Sequence, residues 1–154
     1  PAVENYESKE WVLTTLIDAV AKGGNFMVCI GPDPWGQFHP EAVQRLNYVG
    51  DWLEVNGEGI YGTRPWHTGR SGDCYFTRTK DSKHLYAISM KWPGFSLRLD
   101  GVRAKEDSII RMLGDDAALE FSQDDAGLSI QIPERLQRAE DRPCEQAFVF
   151  KIEL

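Results

Sequence analysis

The sequence predicts an α+β composite, in which a short αβα segment precedes a small antiparallel β-sandwich. Two observations support this fold class. Up to about residue 56, apolar residues recur with helical spacing on both sides of one unbroken apolar run, Phe26 to Ile30. From about residue 73 apolar residues alternate with polar ones, which is the period of a half-buried strand. The two patterns divide the chain near its middle.

The first predicted helix covers residues 9–22. Ser8 is a suitable N-cap, and Gly23 is a suitable residue to end the helix. The apolar stripe of this helix, with the i, i+3, i+4, i+7 spacing, consists of Leu13, Leu16, Ile17 and Val20.

The apolar run from Phe26 to Ile30 predicts a strand that is covered on both faces, as in a parallel sheet. Cys29 lies inside this run, and we expect it to be a small buried apolar residue. Gly31 and Pro32 then end the strand.

A second predicted helix begins at Pro40, which suits the first helical position, with Glu41 in the first turn. Its predicted apolar stripe is Val43, Leu46, Gly50 and Leu53. Asn56-Gly57 is expected to end it through a left-handed cap. Two helices around one strand are typical of one αβα slice of a barrel or of a doubly wound sheet.

In the second half of the chain, the alternation of apolar and polar residues predicts about seven or eight short antiparallel strands, and hence a small β-sandwich. The alternating apolar positions are Tyr86, Ile88, Met90 and Trp92; Phe95, Leu97 and Leu99; Leu128, Ile130 and Ile132; and Phe148, Phe150, Ile152 and Leu154. Residues 57–72 are predicted to join the halves, and residues 133–145 to form a long connection without a strand.

Composition excludes several classes of function. The net charge is −7 and no Lys/Arg cluster occurs, which argues against a nucleic-acid partner. No apolar run reaches the roughly 18 residues of a membrane span. His39, His67 and His84 are scattered, so neither a metal site nor a cofactor is expected. Cys74 and Cys144 could pair if their strands are neighbours.

A series of motifs in the first half resembles one enzyme family. They are Leu16-Ile17-Asp18, Lys22-Gly23-Gly24-Asn25, Gly31-Pro32-Asp33 with Gly36, Leu46 through Trp52-Leu53, and Asn56-Gly57-Glu58 with Ile60-Tyr61-Gly62-Thr63-Arg64-Pro65-Trp66. In this order and spacing they resemble the α-L-fucosidases of glycoside hydrolase family 29. The resemblance implies that residues 1–66 are the closing αβα segment of a catalytic (β/α)8-like barrel, and that residues 67–154 are the C-terminal β-sandwich domain.

The resemblance also implies a function. Members of this family are retaining enzymes that hydrolyse terminal α-L-fucosyl linkages of glycans, and they are mostly secreted, periplasmic or lysosomal. Their Asp nucleophile, in a Trp-x-Asp context, and their acid/base carboxylate lie upstream of the closing segment. We therefore expect no catalytic residue in this chain, no activity of the chain alone, and a companion chain that carries the rest of the barrel.

The chain departs from the family pattern in its strand. Family members usually have Leu-Leu-Leu-Asn where this chain has Phe26-Met27-Val28-Cys29, so a polar group is missing. The reversed pair Asp51-Trp52 lies on a predicted helix and is not assigned a catalytic role. The acid pairs Asp115/Asp116 and Asp124/Asp125 are expected to be solvated turn residues.

Substrate contacts are expected in the loop that follows the strand. Active sites of such barrels lie at the C-terminal ends of the strands, so Asp33, Trp35 and His39 are predicted to form part of the substrate rim together with Phe38. The segment Glu4-Asn5-Tyr6 is expected on the same face. Trp66 is expected at the opposite end, at the domain joint.

Two other functions remain open at this stage. The chain could be a non-catalytic carbohydrate-binding sandwich whose platform comprises Tyr75, Tyr86, Trp92 and Phe95, or a structural domain without a ligand. If the barrel interpretation holds, residues 1–56 are expected to be ordered only beside the rest of the barrel.

Overall fold

Three layers make up residues 6–154, the part of the chain that the computed structural model describes. A pair of helices, α1 (Lys9–Ala21) and α2 (Pro40–Asn56), packs on one face of a five-stranded sheet. A three-stranded sheet packs on the other face. The fold is therefore α+β with antiparallel sheets.

The start and end of α1 confirm the prediction from the sequence. The Ser8 hydroxyl accepts a hydrogen bond from the Trp11 backbone N–H at 3.0 Å. Gly23 follows the helix with φ +83° and donates its N–H to the Val20 carbonyl. Leu13 and Ile17 are fully buried against the sheet.

The apolar run from Phe26 to Ile30 forms no strand in this structure. Its residues belong to neither helix nor strand, and none of the strands of residues 6–154 pairs with it. Met27 is 82% exposed and Cys29 is an exposed free thiol, so the prediction that Cys29 is buried is wrong. The physical reason is that a strand needs a hydrogen-bonded neighbour, which this part of the chain does not supply.

Helix α2 begins at Pro40 as predicted but buries a different face. Ala42, Trp52 and Asn56 are buried, whereas Val43 and Leu46 of the predicted stripe are 39% and 38% exposed. Of these, Trp52 packs in the layer between the helices and the larger sheet. The predicted left-handed cap is also wrong, because Gly57 has φ −59° and the chain tightens into the 3-10 turn Gly57–Gly59.

Eight strands follow, within the predicted number. They are β1 (Arg64–Ser71), β2 (Cys74–Arg78), β3 (His84–Ser89), β4 (Ser96–Asp100), β5 (Arg111–Met112), β6 (Phe121–Asp124), β7 (Gly127–Gln131) and β8 (Phe148–Glu153). The larger sheet has the order β1-β2-β3-β8-β5 and the smaller β4-β7-β6, with antiparallel pairing throughout. The predicted joint over residues 57–72 thus includes an edge strand, and Pro65 is tolerated there because it lies on an edge.

The central strands β2, β3 and β8 of the larger sheet are buried on both faces. On one face Leu85 and Ala87 join the apolar layer between the two sheets, and on the other Tyr86 and Ile88 join the layer beneath the helices. The alternation in β3 therefore separates two cores rather than a core from solvent. Trp66 packs against the layer between the sheets, in accordance with a structural role.

Three further expectations concern the rest of the chain. Cys74 is buried and Cys144 half-buried, and both are free thiols, so the disulfide is not formed. Residues 133–145 contain only the 3-10 turns Glu134–Leu136 and Ala139–Asp141, as expected of a connection. Among residues 6–154, no helix has the length and apolarity that crossing a bilayer requires.

Candidate functional site

The loop between residues 32 and 38 is a tight turn built around one carboxylate. Asp33 Oδ1 accepts hydrogen bonds from the backbone N–H groups of Trp35 at 2.9 Å and Gln37 at 2.8 Å. The Asp33 N–H donates to the Gln37 carbonyl, and the Gly36 N–H donates to the Asp33 carbonyl. Gly36 has φ +81°, a conformation that glycine adopts without strain. Asp33 is thus the residue that holds the turn together.

Trp35 occupies the tip of this turn. Its side chain is 83% exposed, and Phe38, at the base, is 48% exposed. A bridge between Pro32 and Phe38 closes the two ends of the turn. The turn thereby presents an indole ring to solvent on a hydrogen-bonded support.

His39 caps helix α2. Its Nδ1 accepts a hydrogen bond from the Glu41 N–H at 3.3 Å, which leaves Nε2 to carry the proton of the neutral ring. The imidazole stacks on Tyr6, with ring centroids 5.4 Å apart. Tyr6 therefore lies beside the candidate rim, as expected, whereas Glu4 and Asn5 lie outside the described residues.

Arg45 completes this cluster and was not identified from the sequence. Its guanidinium donates to the Glu7 carbonyl, to the Glu41 carbonyl at 2.9 Å and to the Glu41 carboxylate, and it lies over the Tyr6 ring. The four-residue spacing of Glu41 and Arg45 on one helix was the available signal. Contact with Glu7, 38 residues away, could not be read from any local pattern.

An apolar groove of about 290 Å³ lies next to the cluster. It is lined by the first turns of both helices and by the unpaired segment, including Trp11, Val12, Phe26, Val28, Ala42 and Leu46. Phe26 meets Trp11 edge to face, with the centroids 6.4 Å apart. The groove is therefore the space between the helix pair and the unpaired segment Phe26–Ile30.

The paired acids of the sandwich are turn residues. Arg98 donates to both carboxylate oxygens of Asp124, at 2.8 and 3.2 Å, and the Ala126 and Gly127 N–H groups add two more bonds. The Arg98 hydrogen bonds, then those of the backbone, lower the pKa of Asp124 to about 2. Asp115 likewise accepts from its own turn and from Arg135. Carboxylates held in this way are structural rather than catalytic.

Glu58 anchors the 3-10 turn to the larger sheet. Its carboxylate accepts hydrogen bonds from the Tyr86 hydroxyl at 2.8 Å and from Lys151. Burial raises the pKa of Glu58, but these two hydrogen bonds outweigh burial and hold the pKa below its usual value. Burial, then the Glu58 contact, raises the pKa of Tyr86. The buried Thr77 hydroxyl donates to the Gly59 carbonyl at 2.6 Å and fixes the same turn.

The sandwich offers no aromatic platform. Tyr75 and Tyr86 are 4% and 2% exposed, and Trp92 is packed between Phe148 and the Arg142 guanidinium. Only Phe95 of the four proposed residues is exposed. Within residues 6–154, no group of three His, Cys, Asp or Glu side chains is arranged to hold a metal ion. The turn at residues 32–39 is therefore the better candidate for a ligand contact.

Two sequence families match this chain, one on each side of the joint. Residues 1–58 match the family described as α-L-fucosidase, and residues 69–153 match the family described as α-L-fucosidase C-terminal domain. The second match alone covers more than half of the chain.

Individual proteins agree with this result. The chain is 31% identical over 153 residues to the α-L-fucosidase of Branchiostoma floridae, and 32% identical over 154 residues to the tissue α-L-fucosidase of Homo sapiens. It also superposes on the Thermotoga maritima α-fucosidase in complex with a mechanism-based inhibitor with a TM-score of 0.79 and 26% identity, covering 96% of this chain and 34% of that one. The first two alignments cover 96% and 98% of this chain but 33% of each relative, so the chain spans about a third of their length.

Proposed function

Since this chain belongs to the α-L-fucosidase family, we propose that it is part of a retaining enzyme that hydrolyses terminal α-L-fucosyl linkages of glycans. Retaining hydrolysis needs two carboxyl groups about 5–5.5 Å apart, one as nucleophile and one as acid and then base. The candidate acids of residues 6–154 are engaged in turns and anchors. On this proposal the catalytic pair comes from the rest of the barrel, and the chain alone is inactive.

The single observation that best supports this role is the unpaired segment Phe26–Ile30. It is apolar, and among residues 6–154 no backbone hydrogen bond engages it. Unsatisfied backbone groups beside apolar side chains are what a strand of a barrel presents before its neighbours are in place. We assign residues 1–66 to the barrel, with this segment as its closing strand, and residues 67–154 to the sandwich.

The substrate rim forms the second part of the proposal. Asp33, Trp35 and His39 follow the closing strand, and active sites of barrels lie at the C-terminal ends of their strands. Trp35 and His39 would then lie near the bound fucosylated glycan. The closing strand itself would pair with the remainder of the barrel.

Reassembly from two pieces tests the proposal. The pure chain is expected not to hydrolyse an aryl α-L-fucoside, and turnover by the chain alone would contradict the assignment. Addition of the remaining barrel portion, taken from the Branchiostoma floridae relative, is expected to restore turnover.

A charge introduced into the closing strand tests whether this segment is where the two pieces join. Met27 is 82% exposed here, so Met27→Glu is expected to leave this chain folded but to block reassembly by burying a charge between strands. Ile109→Glu is the matched control, because Ile109 is 53% exposed on the sandwich. Equal reassembly by both variants would show that the segment is not the closing strand.

A further inference from the structure

We propose that Trp35 binds the leaving-group sugar, the residue to which fucose is attached, and that Asp33 and His39 position the loop rather than contact the substrate. This inference rests on the proposed function and divides the three rim residues by role. It identifies Trp35 as a determinant of substrate specificity.

The first step is the combination of exposure and rigidity at Trp35. An 83% exposed indole on a loose loop would have to be ordered when a ligand binds. Here the Asp33 carboxylate and two backbone hydrogen bonds hold the turn, and Pro32 and Pro34 restrict its backbone further. The backbone that carries Trp35 is therefore preorganised, and an exposed aromatic side chain on such a backbone is typical of a recognition anchor.

The second step is the charge of the ligand. The loop from Gly31 to Pro40 contains no Lys or Arg, and the chain carries a net charge of −7. An anionic ligand would find no cation in this turn. A neutral sugar fits, since its C–H face packs on the indole and its hydroxyl groups remain in water or reach polar neighbours such as Gln37.

The third step asks whether the turn contacts the fucosyl ring or the leaving group, which lie on opposite sides of the bond that is cleaved. The fucosyl ring must lie between the two catalytic carboxyl groups, but the turn carries a single carboxylate, and one of its oxygens is already used by two N–H groups. The Nδ1 atom of His39 is likewise occupied by the helix cap. The turn is thus built to support an aromatic ring at the periphery, where the leaving group lies.

Two substrates of the reassembled enzyme test this inference. α-L-Fucosyl fluoride has no sugar leaving group, whereas an α-L-fucosyl hexose disaccharide has one. Trp35→Ala is expected to lower kcat/KM for the disaccharide by about two- to tenfold, mainly through KM, and to leave the fluoride unaffected. Trp35→Phe is expected to recover part of the loss. Phe95→Ala, which removes another exposed aromatic ring, is the control and should change neither value.

Several outcomes would overturn the inference. An equal loss on both substrates, no loss on either, or a failure of the Trp35→Ala chain to reassemble would show that Trp35 packs against the barrel or has no role. If the wild-type assembly does not hydrolyse the fluoride, the proposed function fails and the assignment to the leaving group fails with it, and NMR of this chain tests sugar binding by Trp35 separately. A neutral methyl hexoside is then expected to shift the Trp35 indole N–H resonance, and the absence of a shift at millimolar concentrations would refute binding.

Discussion

Gly114 is a residue whose importance depends on neighbours far away in the sequence. It has φ +83°, and a Cβ atom at this position would lie 2.6 Å from Pro143 Cβ and 2.6 Å from Val55 Cγ1. The glycine therefore allows helix α2 and the long connection to close over the end of β5. Both the backbone conformation and the close approach exclude a side chain.

We expect Gly114→Ala to lower the free energy of unfolding by about 2–4 kcal/mol, of which about 1 kcal/mol is the left-handed conformation and the rest is overpacking. Gly101→Ala is the matched control, because Gly101 has φ +72° and no atom within 4 Å of the added Cβ. Urea unfolding measures both. Equal losses would show that the contact with Pro143 and Val55 relaxes without penalty.

Asp33 allows a similarly sharp comparison. Asp33→Asn keeps a side-chain oxygen that accepts from the N–H groups of Trp35 and Gln37, whereas Asp33→Ala removes it. We expect amide exchange at Trp35 and Gln37 to become at least several-fold faster in the alanine variant and to change little in the asparagine variant. Faster exchange in both variants would indicate that the negative charge, rather than the acceptor, holds the turn.

Among the helices and strands, the sequence correctly predicted those boundaries that are set by residues close by in the chain. The cap at Ser8, the stop at Gly23 and the start of α2 at Pro40 are local, and all three were predicted correctly. The buried face of α2 could not be predicted, because Trp52 contacts Gln146 and Ala147, which lie 94 and 95 residues further along the chain. The apolar run at Phe26–Ile30 predicts a strand, but this segment joins neither sheet of residues 6–154, and strand pairing is not a local property that the run itself can specify.

In the candidate site, too, features set by neighbouring residues could be predicted from the sequence, whereas contacts between distant residues could not. Trp35 and His39 were chosen because they follow the apolar run, and the structure places them in one loop and its helix cap. That Asp33 is the support of the turn follows from hydrogen bonds within five residues, yet its sequence signature resembles that of any Asp-Pro turn. The contacts of Arg45 with Tyr6 and Glu7 join distant segments and left no local trace.

The anchor between the 3-10 turn and the larger sheet gives a pH-dependent prediction. The folded state lowers the pKa of Glu58 below the unfolded value of about 4.3, so its ionised form stabilises the fold. That contribution is complete above the unfolded pKa and is lost as the pH falls through the folded pKa. Glu58 is 49% exposed, so screening limits the contribution to about 1 kcal/mol or less.

We therefore expect Glu58→Gln to be less stable than the wild type at neutral pH and the difference to shrink below about pH 4. Urea unfolding over a series of pH values measures this difference. Asp116→Asn, at an exposed turn, is the control for removal of a negative charge alone. A difference that stays constant with pH would show that Glu58 stabilises the turn through shape rather than through charge.

At the scale of the whole molecule, the helix pair is attached to the sandwich more firmly than the sequence indicated. The Trp52 indole N–H reaches the carbonyls of Gln146 and Ala147, both at 3.1 Å, and Trp52 is 4% exposed. The five-stranded sheet thus has an apolar layer on each face. Because the sandwich itself buries Leu13 and Ile17 of α1 and Trp52 of α2, we predict that both helices are ordered without a barrel, in contrast to the sequence-based expectation for residues 1–56.

This arrangement predicts that the helices and the sandwich unfold together. Ile88 is fully buried in the layer beneath the helices, so Ile88→Ala is expected to lower the free energy of unfolding by about 2–4 kcal/mol. Because the layer is shared, the helical circular dichroism and the tryptophan fluorescence should still change at one urea concentration. Ile109→Ala, at a 53% exposed position, should leave that concentration almost unchanged. Loss of the helical circular dichroism before the change in tryptophan fluorescence, in the wild type or in Ile88→Ala, would show that the sandwich alone does not hold the helix pair.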